Sequence, residues 1–331
     1  MNCKPPNGVD KSAQPLLDNP VLLMTSLPTG LPAVGARRDN PLAAIGFIVL
    51  AMALFAIMDT LAKLLSAGQP ILLIVLFRSL GALIVLTPVF LRQPASHRRL
   101  IQPRLLALRV VLGTTAVTLF FMAIAKMSLA DVAAINFSSP LMVTLLSIVL
   151  LKERVGPRRW LALLVGFAGV LVILRPGGGV LSQYALFAVG GTLCYAVLMI
   201  ILRLQGQIMT SATSSFWFTL FSPLLVLPAM PAVWVTPDPG DLAMLLILGM
   251  VGGLAMLSMT QAMRLAPAST VAPFDYSYLI WAVAAGWFLF GDLPSPSSLM
   301  GLPLIIGSGL YILHRETIVN RRPKVLEAEA P

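Results

Sequence analysis

The sequence predicts an all-α membrane protein, with ten transmembrane helices arranged as two inverted five-helix repeats. Three observations lead there: the composition, the spacing of the apolar runs and the placement of the basic residues. Of 331 residues, 58% are hydrophobic and 11% are charged, with a mean hydropathy of +0.90. A soluble domain carries roughly 25% charged residues. This chain has too little polar surface to face water, so lipid must be the solvent for most of it. The net charge of +10 sits in short clusters between long apolar runs. That is the positive-inside pattern of a membrane protein rather than a nucleic-acid surface.

A spanning helix needs about 20 mostly apolar residues. With Pro, Gly and charge as breakers, the chain offers ten candidates, at 42–65, 70–91, 105–127, 129–151, 159–174, 182–204, 214–235, 242–265, 268–290 and 297–313. The fifth and tenth are short. Residues 1–41 contain no apolar stretch long enough to insert or to act as the core of a signal peptide. They are expected to form a disordered cytoplasmic tail, with a second tail at 314–331. The first repeat is expected over 42–174 and the second over 182–313.

The loops fix the orientation. With the N-terminus inside, the cytoplasmic loops receive Arg37, Arg38, Arg92, Arg98, Arg99, Arg104, Lys152, Arg154, Arg158, Arg159, Arg203 and Arg264, and the tail adds Arg315, Arg321, Arg322 and Lys324. The outer loops receive Lys126 and Arg175. Such an asymmetry sets topology, and it puts both termini in the cytoplasm of a bacterial inner membrane.

The two halves share weak internal similarity. Ala125-Lys-Met-Ser-Leu-Ala-Asp-Val-Ala resembles Met263-Arg-Leu-Ala-Pro-Ala-Ser-Thr-Val, Leu151-Lys-Glu-Arg parallels Phe290-Gly-Asp-Leu, and Gly169-Val-Leu-Val-Ile-Leu parallels Gly309-Leu-Tyr-Ile-Leu. The copies lie about 138 to 140 residues apart. Five spans is an odd number, so the second half must enter the membrane inverted. Inverted repeats are characteristic of secondary transporters, in which two opposed halves alternate around one central site.

These residues resemble the EamA-type branch of the drug/metabolite transporter superfamily, over about 42–313. The most telling stretch is Ser128-Leu-Ala-Asp-Val-Ala-Ala-Ile-Asn-Phe-Ser-Ser-Pro140, followed by Leu151-Lys-Glu-Arg and a helix bearing Gly166 and Gly169. The second copy departs from the pattern, with Tyr278 near the place of the mid-helix proline and Asp292 for the glutamate. The resemblance implies ten helices, inverted repeats and transport without ATP hydrolysis, and it leaves the substrate open.

Ionisable groups at membrane depth cost roughly 3 kcal/mol each and are the first place to look for function. Asp59 and Lys63 lie four apart on the first span and share a face. They could form an intrahelical pair, with Lys63 reaching outward. Arg78 lies at a matching depth on the second span. It could bridge to Asp59, or it could bind an anionic substrate group through its fork. Asp275, in Phe274-Asp-Tyr-Ser-Tyr278, is the strongest single candidate for binding a substrate amine or carrying a proton. Of Tyr276 and Tyr278, at most one is expected to line the pathway directly. Asn136 and Ser139 flank Pro140, which frees a carbonyl one turn earlier and should kink the fourth span. For Trp281, Trp217, Tyr195 and Phe137, lipid contact or packing is the favoured reading, with a role as aromatic walls of the pathway as the alternative. Gly249 and Gly253 read as a close helix-packing pair.

A secondary transporter of a small organic metabolite fits these features best. If Arg78 and Asp275 both face the pathway, the site is bipolar and suits an amino acid or related zwitterion. A flat, largely uncharged vitamin-like compound is the alternative. Export is the expected direction, with import open, and protons are the candidate coupling ion. A membrane enzyme is disfavoured. The chain has thirteen acidic residues, and its histidines are His97 and His314. It carries no Gly-x-Ser-x-Gly, His-Glu-x-x-His or Walker motif. No cofactor and no metal are expected. The lipid bilayer and a small-molecule substrate are the expected partners. A monomer suffices, and a dimer is compatible.

Overall fold

The structure is a computed structural model that describes residues 40–100, 102–150, 156–174, 181–205, 210–266 and 268–319. The expected N-terminal tail up to residue 39, the Leu151-Lys-Glu-Arg stretch and the last twelve residues lie outside these segments. The described residues form helices and contain no strand.

The first half holds α1 (Pro41–Leu65), α2 (Ile71–Leu91), α3 (Pro103–Ile124), α4 (Leu129–Asn136), α5 (Ser139–Leu150) and α6 (Pro157–Leu174). The second holds α7 (Leu181–Gln205), α8 (Ser211–Val226), α9 (Met230–Val233), α10 (Pro239–Leu265), α11 (Ala268–Val271), α12 (Ser277–Phe290) and α13 (Pro296–Val319). Among the described residues, seven helical segments are long and apolar enough to cross a membrane, and Trp160–Leu174 and Pro296–Ile312 are shorter apolar helices. The ninth expected span is different. It is split into α11, a 3-10 segment at Ala272–Tyr276, and α12 of 14 residues. At its far end α13 continues to Val319, past the expected stop at 313.

Local chemistry explains the helix ends. The Asn40 side chain accepts from the Ala43 amide at 3.2 Å, and Pro41 opens α1. Asp238 caps α10 by accepting from the Asp241 amide at 2.7 Å, ahead of Pro239. Ser128 and Thr210 cap α4 and α8 in the same way. Each satisfies an amide that lipid could not. Helix α12 stops at Gly291, whose φ of +67° costs a glycine little. The Asp292 amide then bonds back to the Gly286 carbonyl at 2.9 Å.

The strongest packing runs between the halves rather than within them: α1 on α10, α2 on α8 and α10, α3 on α7 and α6 on α13. The buried core therefore lies on the seam between the repeats. Two of these crossings depend on missing side chains. A Cβ on Gly81 would lie 2.5 Å from the Leu246 carbonyl oxygen and 2.8 Å from the Gly249 Cα, and one on Gly249 would lie 2.7 Å from the Arg78 carbonyl oxygen. On α6 and α13, Gly169 and Gly301 face each other, and a Cβ on either would meet the other's carbonyl oxygen at 2.7 and 2.5 Å. Close approach of this kind is how helices associate when lipid removes the hydrophobic drive. Polar side chains add to it: Ser222 on α8 meets Ser79 at 3.3 Å and Thr114 at 2.9 Å, joining α2, α8 and α3.

The Gly81 crossing makes a direct prediction. Gly81→Ala should lower the thermal stability of the detergent-purified protein by about 1–3 kcal/mol, the usual cost of overpacking. Gly46→Ala should leave it unchanged or raise it slightly, since a Cβ at Gly46 meets nothing within 4 Å. Equal melting temperatures for the two variants would contradict the packing account.

Candidate functional site

The interior polar groups gather on the seam, around the two broken helices. The fourth expected span is interrupted at Phe137 and Ser138, between α4 and α5 and directly ahead of Pro140. The ninth is interrupted by the 3-10 segment that carries Pro273, Asp275 and Tyr276. Broken helices free backbone groups where a ligand can use them, and in transporters they mark central sites.

Asp59 on α1 is 3% exposed. Its Oδ2 accepts a hydrogen bond from the Tyr278 hydroxyl at 2.6 Å, which ties α1 to α12 across the repeats. Its Oδ1 is buried without a partner. Arg78 on α2 acts on Asp59 electrostatically, yet forms no ion pair with it, and its Nε is also buried without a partner. The direct Asp59–Arg78 bridge considered from the sequence is therefore not formed. Asp275 keeps one buried, unpartnered oxygen, and so does the hydroxyl of Ser277. The Asp275 charge acts on Tyr195 of α7 and on Tyr276.

Aromatic rings link these groups. Phe137, at the first break, packs on Tyr276 at 4.8 Å between centroids and on Tyr278 at 6.4 Å. One ring therefore touches both tyrosines, of which the sequence reading expected at most one to line the pathway directly. The two still differ. Tyr278 is buried with its hydroxyl engaged, whereas Tyr276 is half-buried and donates no hydrogen bond to a described residue. Asn136 and Ser139 sit on either side of the first break, both half-buried. The neighbouring Ser138 hydroxyl bonds to the Ile135 carbonyl at 2.6 Å, so it serves the backbone.

Two of the residues singled out lie elsewhere. Trp281 does not join the cluster. It is 41% exposed and lines an apolar groove of about 410 Å³ with Ile57, Thr60 and Phe288, between α1 and α12. Lys63 does not pair with Asp59. Its ammonium donates to Asp292 Oδ2 at 2.5 Å and to the Met127 carbonyl at 3.1 Å, and lies 4.6 Å from the Phe290 ring centroid. The Gly291 turn brings Asp292 to it. Three residues on, the Ser295 amide donates to Asp131 Oδ1 at 3.0 Å. The turn after α12 is thus fastened to the ends of both α1 and α4.

Asp131, Asp292 and Ser295 were not recognisable as a set from the chain, because their partners lie far along it. Ser277 and Pro273 were also missed. Pro273 was a readable signal, since a proline two residues before Asp275 removes a helix hydrogen bond. Among the described residues, no group of three or more His, Cys, Asp or Glu side chains could hold a metal ion.

The comparisons with known proteins fit this geometry. Residues 42–175 and 182–313 each match the EamA-like transporter family. The chain belongs to that family. It is therefore a multi-pass membrane transporter of small molecules with a two-repeat architecture, and not an enzyme. It is similar to the S-adenosylmethionine uptake transporter of Rickettsia conorii, at 28% identity over 85% of this chain and 96% of that protein. It is similar to the riboflavin transporter of Vibrio cholerae, at 29% identity over 87% of this chain and 98% of that protein. A solved crystal structure of 19% identity superposes with a TM-score of 0.55 over 80% of this chain and 94% of its own, a likeness of fold.

The pairing at the α12 turn can be tested by charge exchange. In a background with Cys3 and Cys194 replaced by serine, Lys63→Ala or Asp292→Ala should speed maleimide labelling of Ser295→Cys a few fold, because a part-exposed pair contributes about 0.2–1 kcal/mol. Combining Lys63→Asp with Asp292→Lys should slow it again. Labelling that ignores all three variants would mean that the pair does not hold this turn.

Proposed function

We propose that the protein is a secondary transporter of a small zwitterionic metabolite with an aromatic ring, taken up across a bacterial inner membrane by alternating access. In this reading ten helices span the bilayer in inverted repeats, and both termini are cytoplasmic. The basic loops and the odd number of spans per half support that topology. Arg78 receives the substrate carboxylate, Asp275 with Asp59 faces its cationic part, and Phe137 with Tyr276 stacks on the ring. Asn136, Ser139 and Ser277 supply hydrogen bonds.

The observation that carries this reading is a guanidinium nitrogen and two carboxylate oxygens, all buried and unpartnered, beside a pair of aromatic rings. Such groups are costly in lipid unless a ligand answers them. Their charge count narrows the class. With both acids ionised, Asp59, Arg78 and Asp275 carry a formal charge of −1 together. A substrate of charge +1 neutralises that. S-adenosylmethionine combines a carboxylate, an ammonium, a sulfonium and a fused aromatic ring, and so matches every part. The word uptake in the relatives' name also favours import over the export expected from the sequence.

The riboflavin relatives favour a second reading, in which a flat neutral vitamin lies on the Phe137–Tyr276 pair. A neutral substrate leaves the −1 charge unanswered, so a proton on one of the two acids would travel with it. Protons are then the coupling ion. Transport of the +1 substrate needs none.

Proteoliposomes containing the purified protein should accumulate radiolabelled S-adenosylmethionine when the interior is made negative, without a proton gradient. Arg78→Ala and Asp275→Asn should each cut the rate roughly tenfold or more, since a hydrogen bond to a charged group contributes about 1.5–3 kcal/mol. Accumulation of riboflavin alone, and only under a proton gradient, would favour the second reading. Transport of neither compound would refute both.

A further inference from the structure

We infer that Gly309, on α13, is a specificity-determining residue: its missing side chain seats the Tyr276 hydroxyl and so sets the pose of the aromatic face that Tyr276 and Phe137 present together. The inference rests on the proposed site and deepens it.

The two repeats provide the comparison. Gly169 and Gly309 occupy corresponding positions in the weak internal repeat, yet they face different neighbours. A Cβ on Gly169 would strike the backbone of α13 at Gly301, so that glycine serves a helix crossing. A Cβ on Gly309 would have a single neighbour within 4 Å, the Tyr276 hydroxyl oxygen at 2.9 Å. No backbone atom crowds it. Helix packing therefore does not require a glycine here, and Gly309 is buried in the middle of a helix where alanine has the better propensity. What the position accommodates is one oxygen atom of one side chain.

That side chain is well placed to matter. Tyr276 stands at the last position of the 3-10 break, next to Asp275, and its ring lies 4.8 Å from that of Phe137 at an angle of 44°. Its hydroxyl bonds to no described residue, so contact with α13 is what stops the ring on that side. A methyl group at position 309 pushes the hydroxyl away from α13 by a fraction of an ångström, because 2.9 Å is well inside ordinary van der Waals distance. The ring then tips against Phe137, and the aromatic face offered to a flat ligand changes while Arg78 and Asp275 stay where they are. A fused-ring ligand should feel this, and a ligand with the same zwitterionic end but no ring should not.

The test compares S-adenosylmethionine with methionine by titration calorimetry on the purified protein. Gly309→Ala should weaken S-adenosylmethionine roughly threefold to tenfold, as expected of a sub-ångström misplacement, and leave methionine unchanged. Adding Tyr276→Phe, which removes the oxygen in the way, should bring the ratio of the two affinities back to that of Tyr276→Phe alone. Gly307→Ala, two residues away with nothing within 4 Å of its Cβ, should do nothing. A second readout needs no ligand: with fluorotyrosine incorporated, the Tyr276 resonance should move in Gly309→Ala and not in Gly307→Ala. An unmoved resonance, or equal weakening of both ligands that Tyr276→Phe does not correct, would overturn the inference. If the native protein binds neither compound, the substrate reading fails and the specificity role fails with it, while the resonance still reports whether Gly309 seats Tyr276.

Discussion

Asp59 is a carboxylate held at 3% exposure in a protein whose surroundings are hydrocarbon, and the seam of the molecule is arranged to answer it. Water cannot supply the missing hydrogen bonds there, so the protein must. Tyr278 supplies one from α12 and Arg78 supplies opposite charge from α2. Each of the two comes on a separate helix. The requirement therefore fixes how three helices meet. Arg78 reaches this depth because α2 lies against α10 at the Gly81–Gly249 crossing, where backbone touches backbone. Bulkier residues there would hold the guanidinium off.

The same cluster is left incomplete. One oxygen of Asp59, one of Asp275, the Nε of Arg78 and the Ser277 hydroxyl remain without partners. A purely structural network would be expected to close itself, since an unpartnered polar group in a low-dielectric interior carries a penalty of several kcal/mol. Open valences around two helix breaks suit a site whose remaining partner comes and goes. The breaks contribute in the same direction, because Phe137 at one and Tyr276 at the other lie in ring contact. The two repeats thus meet through aromatic surface as well as through charge.

Away from the cluster, the turn after α12 is fastened twice, by Lys63 to Asp292 and by the Ser295 amide to Asp131. Lys63 has the length to reach past its own helix, and its stem lies along apolar surface while its ammonium finds oxygen. Both fastenings join first-repeat residues to second-repeat residues. Contacts of this sort part more readily than the glycine crossings, whose backbone atoms cannot separate without opening a void.

Sequence by itself determined much of this protein. Long apolar runs can only be helices in lipid, because the backbone has no other way to satisfy itself, so helical class and most helix positions followed from composition and breakers. Asp59, Arg78 and Asp275 stood out for the same reason: charge inside an apolar run is conspicuous. Partnership was a different matter. Helical spacing put Asp59 and Lys63 on one face and suggested a pair, yet Lys63 turned to Asp292, a residue 229 positions away that the Gly291 turn delivers. Trp281 could be read as packing, lipid contact or a wall of the site, since an aromatic ring suits any of these surfaces, and the rotation of α12 puts it in an exposed apolar groove. The role of Gly309 was invisible as well, because a glycine in a helix reads the same whether it faces a backbone or one tyrosine oxygen. Periodicity and polarity are local and written along the chain, whereas the facing of helices and the pairing of distant side chains are decided only when the whole seam packs at once.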